Sequence, residues 1–299
     1  MKKFNKIFAL SLFAVLGGFM SACSNDKDDE PTPPELNTPK YEGDAALYQI
    51  TSQDCDYSSI ELTASGNYIV MPRYYSPYFI QAVKASFLQM PQTDTRASYM
   101  GIISGTYTKT GDNTYKLNGF GTITVTGDNS NALDLEIVLT NGEEINVTAA
   151  EKNQLPDSTM TDNLCRTWNV NNMQVTIKVN GRTMFEATVD RNNYSQYDDE
   201  FDDEFGFPDQ VIFTKAGTYM VTYTKSGLGV STWSWQNQSQ GIIRYSWDYD
   251  DMYDDYASGT AHVAFPGGNR MAITETFIED DDDELYEEIV VTNLSEASN

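Results

Sequence analysis

Residues 173–189 read Met173-Gln174-Val175-Thr176-Ile177-Lys178-Val179-Asn180-Gly181-Arg182-Thr183-Met184-Phe185-Glu186-Ala187-Thr188-Val189. The pair Asn180-Gly181 sits between two runs rich in β-branched and apolar residues. A two-residue type I′ turn needs positive φ at both central positions, and Asn and Gly accept it most readily. The stretch therefore predicts a tight antiparallel hairpin. Downstream the same texture continues. Strands are expected at 211–215, 217–225, 230–236, 241–248, 259–265, 270–278 and 284–293. Turns fall at Lys215-Ala216-Gly217, Ser226-Gly227 and Gly267-Gly268.

Upstream, Ala64-Ser65-Gly66-Asn67 separates strands at 60–63 and 68–71. Thr110-Gly111-Asp112 separates 101–109 from 113–117, and Asn141-Gly142 separates 134–139 from 143–148, with a further strand at 120–126. Residues 76–98 carry Phe79, Val83, Phe87 and Leu88 between Pro77 and Pro91, which suits a short helix or an irregular crossover. A break falls at 151–161, and a strand at 164–170 is expected to open the second region. Many short strands with close, even turns imply an antiparallel barrel or sandwich. The expected fold is all-β: a barrel-like C-terminal domain at 155–299, preceded by a smaller antiparallel β domain at 41–150.

The first forty residues have a different character. Lys2, Lys3 and Lys6 precede an apolar run from Ile7 to Phe19, then Met20-Ser21-Ala22-Cys23. A basic head, a short apolar stretch and small residues before a cysteine describe a secretory signal at 1–22. The stretch is too short for a permanent transmembrane helix. Cys23 is the expected lipid-attachment residue, making the membrane a partner through acyl chains. Residues 23–40, with Pro31, Pro33, Pro34 and Pro39, read as an acidic, semi-rigid linker.

Formal net charge is −25 over 299 residues. Loss of the leader removes three lysines and no acid, so the mature body is more acidic still. Such a surface repels nucleic-acid phosphates, which excludes DNA and RNA as partners. Aromatic residues make up 12%, which suits a folded body rather than an acidic tail. Besides Cys23, only Cys55 and Cys165 are present. Outside the inner membrane they could pair, or remain as two buried thiols. No Cys/His cluster suggests zinc.

Three resemblances follow from these residues. Met20-Ser21-Ala22-Cys23 resembles the lipobox of bacterial lipoproteins, with Met20 where Leu is usual. Lys27-Asp28-Asp29 resembles the export signal of Bacteroidetes surface lipoproteins, implying display on the outer face of the outer membrane. Residues 164–294 resemble the lipocalin-like domains of such lipoproteins. Leu164-Cys165-Arg166-Thr167-Trp168 stands at the family's Leu-x-Gly-x-Trp opening, with Arg166 replacing Gly. Phe213 to Tyr219 is similar to its F-x-x-x-G-x-Y hairpin, and Trp233-Ser234-Trp235 to the next strand. The resemblance implies an up-and-down barrel and no particular ligand. Leu62 to Tyr68 is also similar in pattern to Phe213 to Tyr219, which fits either an internal duplication or convergent turn chemistry.

Catalytic signatures are missing. The lone histidine, His262, lies between Ala261 and Val263, with no G-x-S-x-G elbow in the chain. Acidic clusters occur at 198–204, 248–255 and 280–284. Calcium is the one cofactor they suggest, at Asp250, Asp251, Asp254 and Asp255, though no EF-hand spacing exists and solvated loops are the preferred reading. Trp168, Trp233 and Trp235 are expected in the core. Trp247, Tyr249, Tyr253 and Tyr256 are the candidate ligand-binding residues, because aromatic faces interleaved with carboxylates suit sugar rings. The preferred function is a surface-anchored, non-enzymatic binding lipoprotein for a glycan, peptide or small apolar molecule. The alternatives are a calcium-stiffened structural or adhesion module and a carboxylate-based glycosidase.

Overall fold

The computed structural model describes residues 43–73, 101–197, 206–225, 228–247, 257–281 and 284–297. The segment at 76–98, expected as a helix or crossover, lies outside them, as do Cys23 and the linker.

Eight antiparallel strands close the first barrel in sequence order: β1 (Ala46–Ile50), β2 (Tyr57–Leu62), β3 (Asn67–Pro72), β4 (Ile103–Gly111), β5 (Thr114–Leu117), β6 (Gly121–Thr126), β7 (Leu133–Leu139) and β8 (Glu144–Glu151). The pairing of β1 with β8 completes the ring. Alternation decides the interior: in β6, Ile123 and Val125 point in while Thr122 and Thr124 are half-exposed. Tyr48, Ile60, Tyr68, Leu117, Phe120 and Ile137 fill the interior. The β4–β5 turn falls at Asp112-Asn113, with Asn113 at φ 57°, later than the Thr110-Gly111-Asp112 expected from sequence. The left-handed residue is the one that fixes a turn's position, and Asn takes it here instead of Gly.

The second region begins with a helix, α1 (Thr159–Leu164), which starts within the expected break at 151–161 and delays the strand expected from 164 until Thr167. Ser158 caps it, its hydroxyl accepting from the Thr161 N–H at 3.0 Å. Six residues make a marginal helix on propensity alone, so tertiary contacts must hold it. The Trp168 indole N–H donates to the Leu164 carbonyl at 3.0 Å, and that of Trp235 to the Thr161 hydroxyl at 3.1 Å.

After α1 come β9 (Thr167–Val179), β10 (Arg182–Val189), a 3-10 turn at Tyr194–Tyr197, β11 (Pro208–Phe213), β12 (Thr218–Tyr223), β13 (Leu228–Asn237), β14 (Ile242–Trp247), β15 (Ala257–Ala264), β16 (Arg270–Asp281) and β17 (Glu284–Glu296). All neighbours are antiparallel, and β17 returns to pair along β9. The start of β9 bonds β11, closing an eight-membered ring; its distal half bonds β10, which lies outside that ring. Trp168, Phe213, Tyr219, Trp233, Tyr245 and Ile273 fill the interior. Burying each such side chain contributes about 1.5–3 kcal/mol. The first domain, smaller as expected, is itself a closed barrel of eight antiparallel strands.

The two barrels repeat one another at a turn. Thr63 N–H donates to Asn67 O at 2.9 Å, and Thr214 N–H to Thr218 O at 2.9 Å. Asn67 N–H reaches the Thr63 hydroxyl at 3.0 Å, and Thr218 N–H the Thr214 hydroxyl at 3.0 Å. Gly66 and Gly217 adopt φ 81° and 85°. The preceding strands each slip register once, between Tyr57 and Ser59 and between Pro208 and Gln210. Burial along β2 matches β11, and along β3 matches β12, residue for residue.

These matched hairpins also face each other. Ile69 and Ile102 on the outside of the first barrel pack with Ile212 and Met220 on the outside of the second. Asn67 donates to the Thr167 hydroxyl at 2.8 Å, which lies 3.0 Å from that of Ser65.

Candidate functional site

The hairpin of β9 and β10 reaches beyond the barrel rim. Asn180 and Gly181 take φ 50° and 75°, the two positive values a type I′ turn demands. Its tip is stapled to β17: Asn180 N–H donates to Leu285 O at 2.8 Å, and Leu285 N–H to the Asn180 side-chain oxygen at 2.9 Å. Lys178 pairs with Glu287 at 2.8 Å. The projecting sheet runs β10-β9-β17-β16.

One face of this sheet continues the barrel interior. Met173 and Val189 are buried in the core, and Val175, Ala187 and Val290 pack against it. Farther out on the same face stand Ile177, Val179, Phe277 and Tyr286, all half-buried, and Phe185, whose ring meets Tyr197 edge-on at 6.3 Å. The four exposed large hydrophobic side chains among the described residues are Met184, Phe185, Ile278 and Leu285, all on this sheet. The sheet forms a lip at one barrel mouth, with Glu279 and Glu288 on its inner face beside these apolar side chains and Ile278 and Leu285 on the opposite face, while α1 lies at the other end.

Inside the barrel, the Tyr245 hydroxyl donates to Glu275 at 2.5 Å, and both groups are buried. Burial first, then the Glu275 charge, hold the Tyr245 phenol far above the ordinary tyrosine range. Its ring lies across Gly259, where a Cβ would collide with it. At the other end, Arg166 lies 3.4 Å from Glu296, both nearly buried. The residue replacing the glycine of the lipocalin-like opening is thus part of a buried ion pair. Burial lowers the Arg166 pKa, opposed by the Glu296 charge.

Between the barrels lies a buried carboxyl. Glu61 points outward from β2, yet only 3% of it is exposed, because the β11–β12 turn covers it. Burial pushes its pKa up from 4.5 to about 7, against the hydrogen bonds of Thr214 and Thr218. Its Oε1 has no partner among the described residues.

Of the candidates read from sequence, Tyr249, Tyr253, Tyr256, Asp250, Asp251, Asp254 and Asp255 lie outside the described residues. Trp247 ends β14, its backbone paired with Ala257. Tyr245, two residues earlier on the strand, serves the core. Trp168 and Trp233 are buried and Trp235 packs against them, as expected. His262 is exposed on β15, beside Ile242 and Thr274. Cys55 and Cys165 are free thiols in separate cores. The lip itself was missed. Its signal was present in Met184 and Phe185, set within a hairpin longer than a barrel needs.

This architecture defines a protein of two closed antiparallel β-barrels. No family model matches the chain. No curated protein matches it either. Among solved structures, a mutant of the vaccine antigen transferrin-binding protein B from Haemophilus parasuis Hp5 shares 6% identity at a TM-score of 0.23, over 82% of this chain and 62% of that one. A double mutant of the same antigen shares 7% identity at a TM-score of 0.24, over 84% and 64%. The chain thus spans less than two thirds of each. Likeness at this level is too slight to bear on function.

Proposed function

We propose that this chain is a lipid-anchored, non-enzymatic binding protein of the bacterial cell surface, whose ligand is a glycan or a peptide held on the outside of the barrels. The observation that carries the reading is the packing of the second barrel. Trp168, Phe213, Tyr219, Trp233 and Tyr245 occupy the volume that a lumenal ligand would need. A small apolar molecule carried inside is therefore the least favoured of the three ligand classes, and recognition falls to the rim. The leader ending at Cys23 supports the anchor. The acidic, proline-rich linker supports a body held away from the membrane.

The experiment has two arms. Surface proteolysis of intact cells should remove the folded body from wild type, and Cys23→Ala should leave the protein unprocessed or released. Arrays of glycans and peptides probed with the soluble body should return one class of ligand without turnover. Retention of the body in protease-treated intact cells would overturn the surface assignment. Chemical conversion of any bound compound would overturn the non-enzymatic one.

A further inference from the structure

The two barrels are built on separate cores. Every buried member of the first core falls at or before Ala149, and every buried member of the second at or after Leu164. Few groups join them: Ile69 and Ile102 against Ile212 and Met220, and the Asn67 and Ser65 side chains on Thr167. Among the described residues the chain passes from one barrel to the other at Gln154 and Leu155. The Gln154 side chain donates to Ala45 O, and Leu155 N–H to Lys215 O at 2.7 Å. The barrels can therefore part without opening either core.

The repeat supplies a comparison for Glu61. In the first barrel Glu61 pairs with Ile69, just before the turn that starts at Thr63. In the second, Ile212 pairs with Met220, just before the turn that starts at Thr214. Glu61 and Ile212 are equally buried, each 3% exposed. Isoleucine thus suffices to build the same hairpin. The carboxyl is an addition at a place where its charge is costly to bury.

The surroundings of Glu61 favour its protonated form. Its strand neighbours are Leu47 and Ile69. From the second barrel Thr214 and Thr218 offer hydroxyls, while Oε1 has no partner among the described residues. The cation of the covering turn, Lys215, is held by Asp157 and Asp162 at 2.7 Å each. Arg166 faces Glu296. Cys165, at the end of α1, lies within electrostatic reach. Burial keeps its thiol protonated, with the Asp162 and Glu61 charges acting against Lys215. Ionised Glu61 therefore has no cation on it among the described residues, and water reaches it only if the β11–β12 turn lifts away.

We propose that Glu61 is a proton-operated latch: protonated, it lets the barrels dock, and ionised, it drives them apart as intact units. The docked state raises the carboxyl to about 7, whereas an open junction returns it to the ordinary 4.5. Docking is thus fullest below 4.5 and weakens as pH rises to about 7. From about pH 5.5 to about pH 8 the ratio of docked to open molecules falls about thirtyfold. This goes beyond ligand binding and depends on neither the ligand nor the anchor.

The test uses the full mature chain in solution, spin-labelled at Lys116→Cys and Arg244→Cys, one exposed position on each barrel; Cys55 and Cys165 are buried. Distances between the labels are measured by electron–electron resonance from about pH 5.5 to about pH 8. With Glu61 present, one distance at the acid end should be joined by a second, longer population at the alkaline end, while circular dichroism keeps its sheet signal. Glu61→Gln, and Glu61→Ile, which copies the second barrel, should hold the acid distance throughout. Both variants keep the other charges of the chain, so general repulsion acts on them as on the parent. Three results would overturn the proposal: a single distance at every pH with Glu61 present, the same shift in Glu61→Gln, or a shift that runs in step with loss of the sheet signal.

Discussion

Glu61 makes the junction of the barrels sensitive to pH, and the sign follows from its environment. Its folded pKa is raised to about 7 by burial, against 4.5 for an ordinary glutamate. Between those values the folded state holds a proton that the unfolded state has lost. Stability therefore falls as pH rises through this window. Each unit corresponds to about 1.4 kcal/mol, so the span from 4.5 to about 7 is worth about 3 kcal/mol. For a chain of this size that is about 6–12 °C in Tm. Glu61→Gln removes the titration and keeps an oxygen for the Thr214 and Thr218 hydroxyls. The net charge of −25 makes both proteins lose stability with pH by self-repulsion, so only their difference reports Glu61. Urea denaturation followed by tryptophan fluorescence, from about pH 5 to about pH 8, gives that difference. The variant should match wild type at the acid end and exceed it by about 3 kcal/mol at the alkaline end. Parallel curves would refute the reasoning.

Other consequences are as direct. Tyr245→Phe leaves buried Glu275 without that donor and should cost about 1–3 kcal/mol in chemical denaturation. In alkaline titration of wild type, the Tyr48 phenol, pushed up to about 12 by burial, should ionise late, and Tyr245 should ionise only on unfolding. Gly66→Ala and Gly217→Ala should each cost about 1–2 kcal/mol, since both positions hold left-handed backbone; similar losses at the two sites would support the repeat. Cys55 and Cys165 should ignore a thiol reagent in the native chain and react after unfolding, while a reductant should leave Tm unchanged.

Much of the strand order was legible because hairpin chemistry is local. Asn180-Gly181 specifies its turn almost unaided, and alternation then assigns the faces. Asn141-Gly142 marks its turn but not as the type I′ its sequence suggests, since only Gly142 takes positive φ and the loop is closed by Leu139 and Glu143. The resemblance of Leu62–Tyr68 to Phe213–Tyr219 was equally local, and the matched hydrogen bonds at Gly66 and Gly217 give it structural substance. What escaped depends on distant partners. Helix α1 is held by Trp168 and Trp235, so its six residues carry little signal of their own. Closure of the first barrel rests on β1 meeting β8, a pairing that no turn announces. The burial of Glu61 is likewise invisible in β2, where it looks like any outward-facing polar residue; only the second barrel covers it. The lip was hidden by an ordinary hairpin reading, since alternation does not tell where a barrel ends and a projecting sheet begins.

A folded body moored by its N-terminus is tested most directly by one measurement. Intact-mass analysis of the protein extracted from membranes of its natural host should give a chain beginning at Cys23 and carrying acyl groups on that residue. A mature chain that retains residues 1–22, or one with an unmodified Cys23, would contradict it.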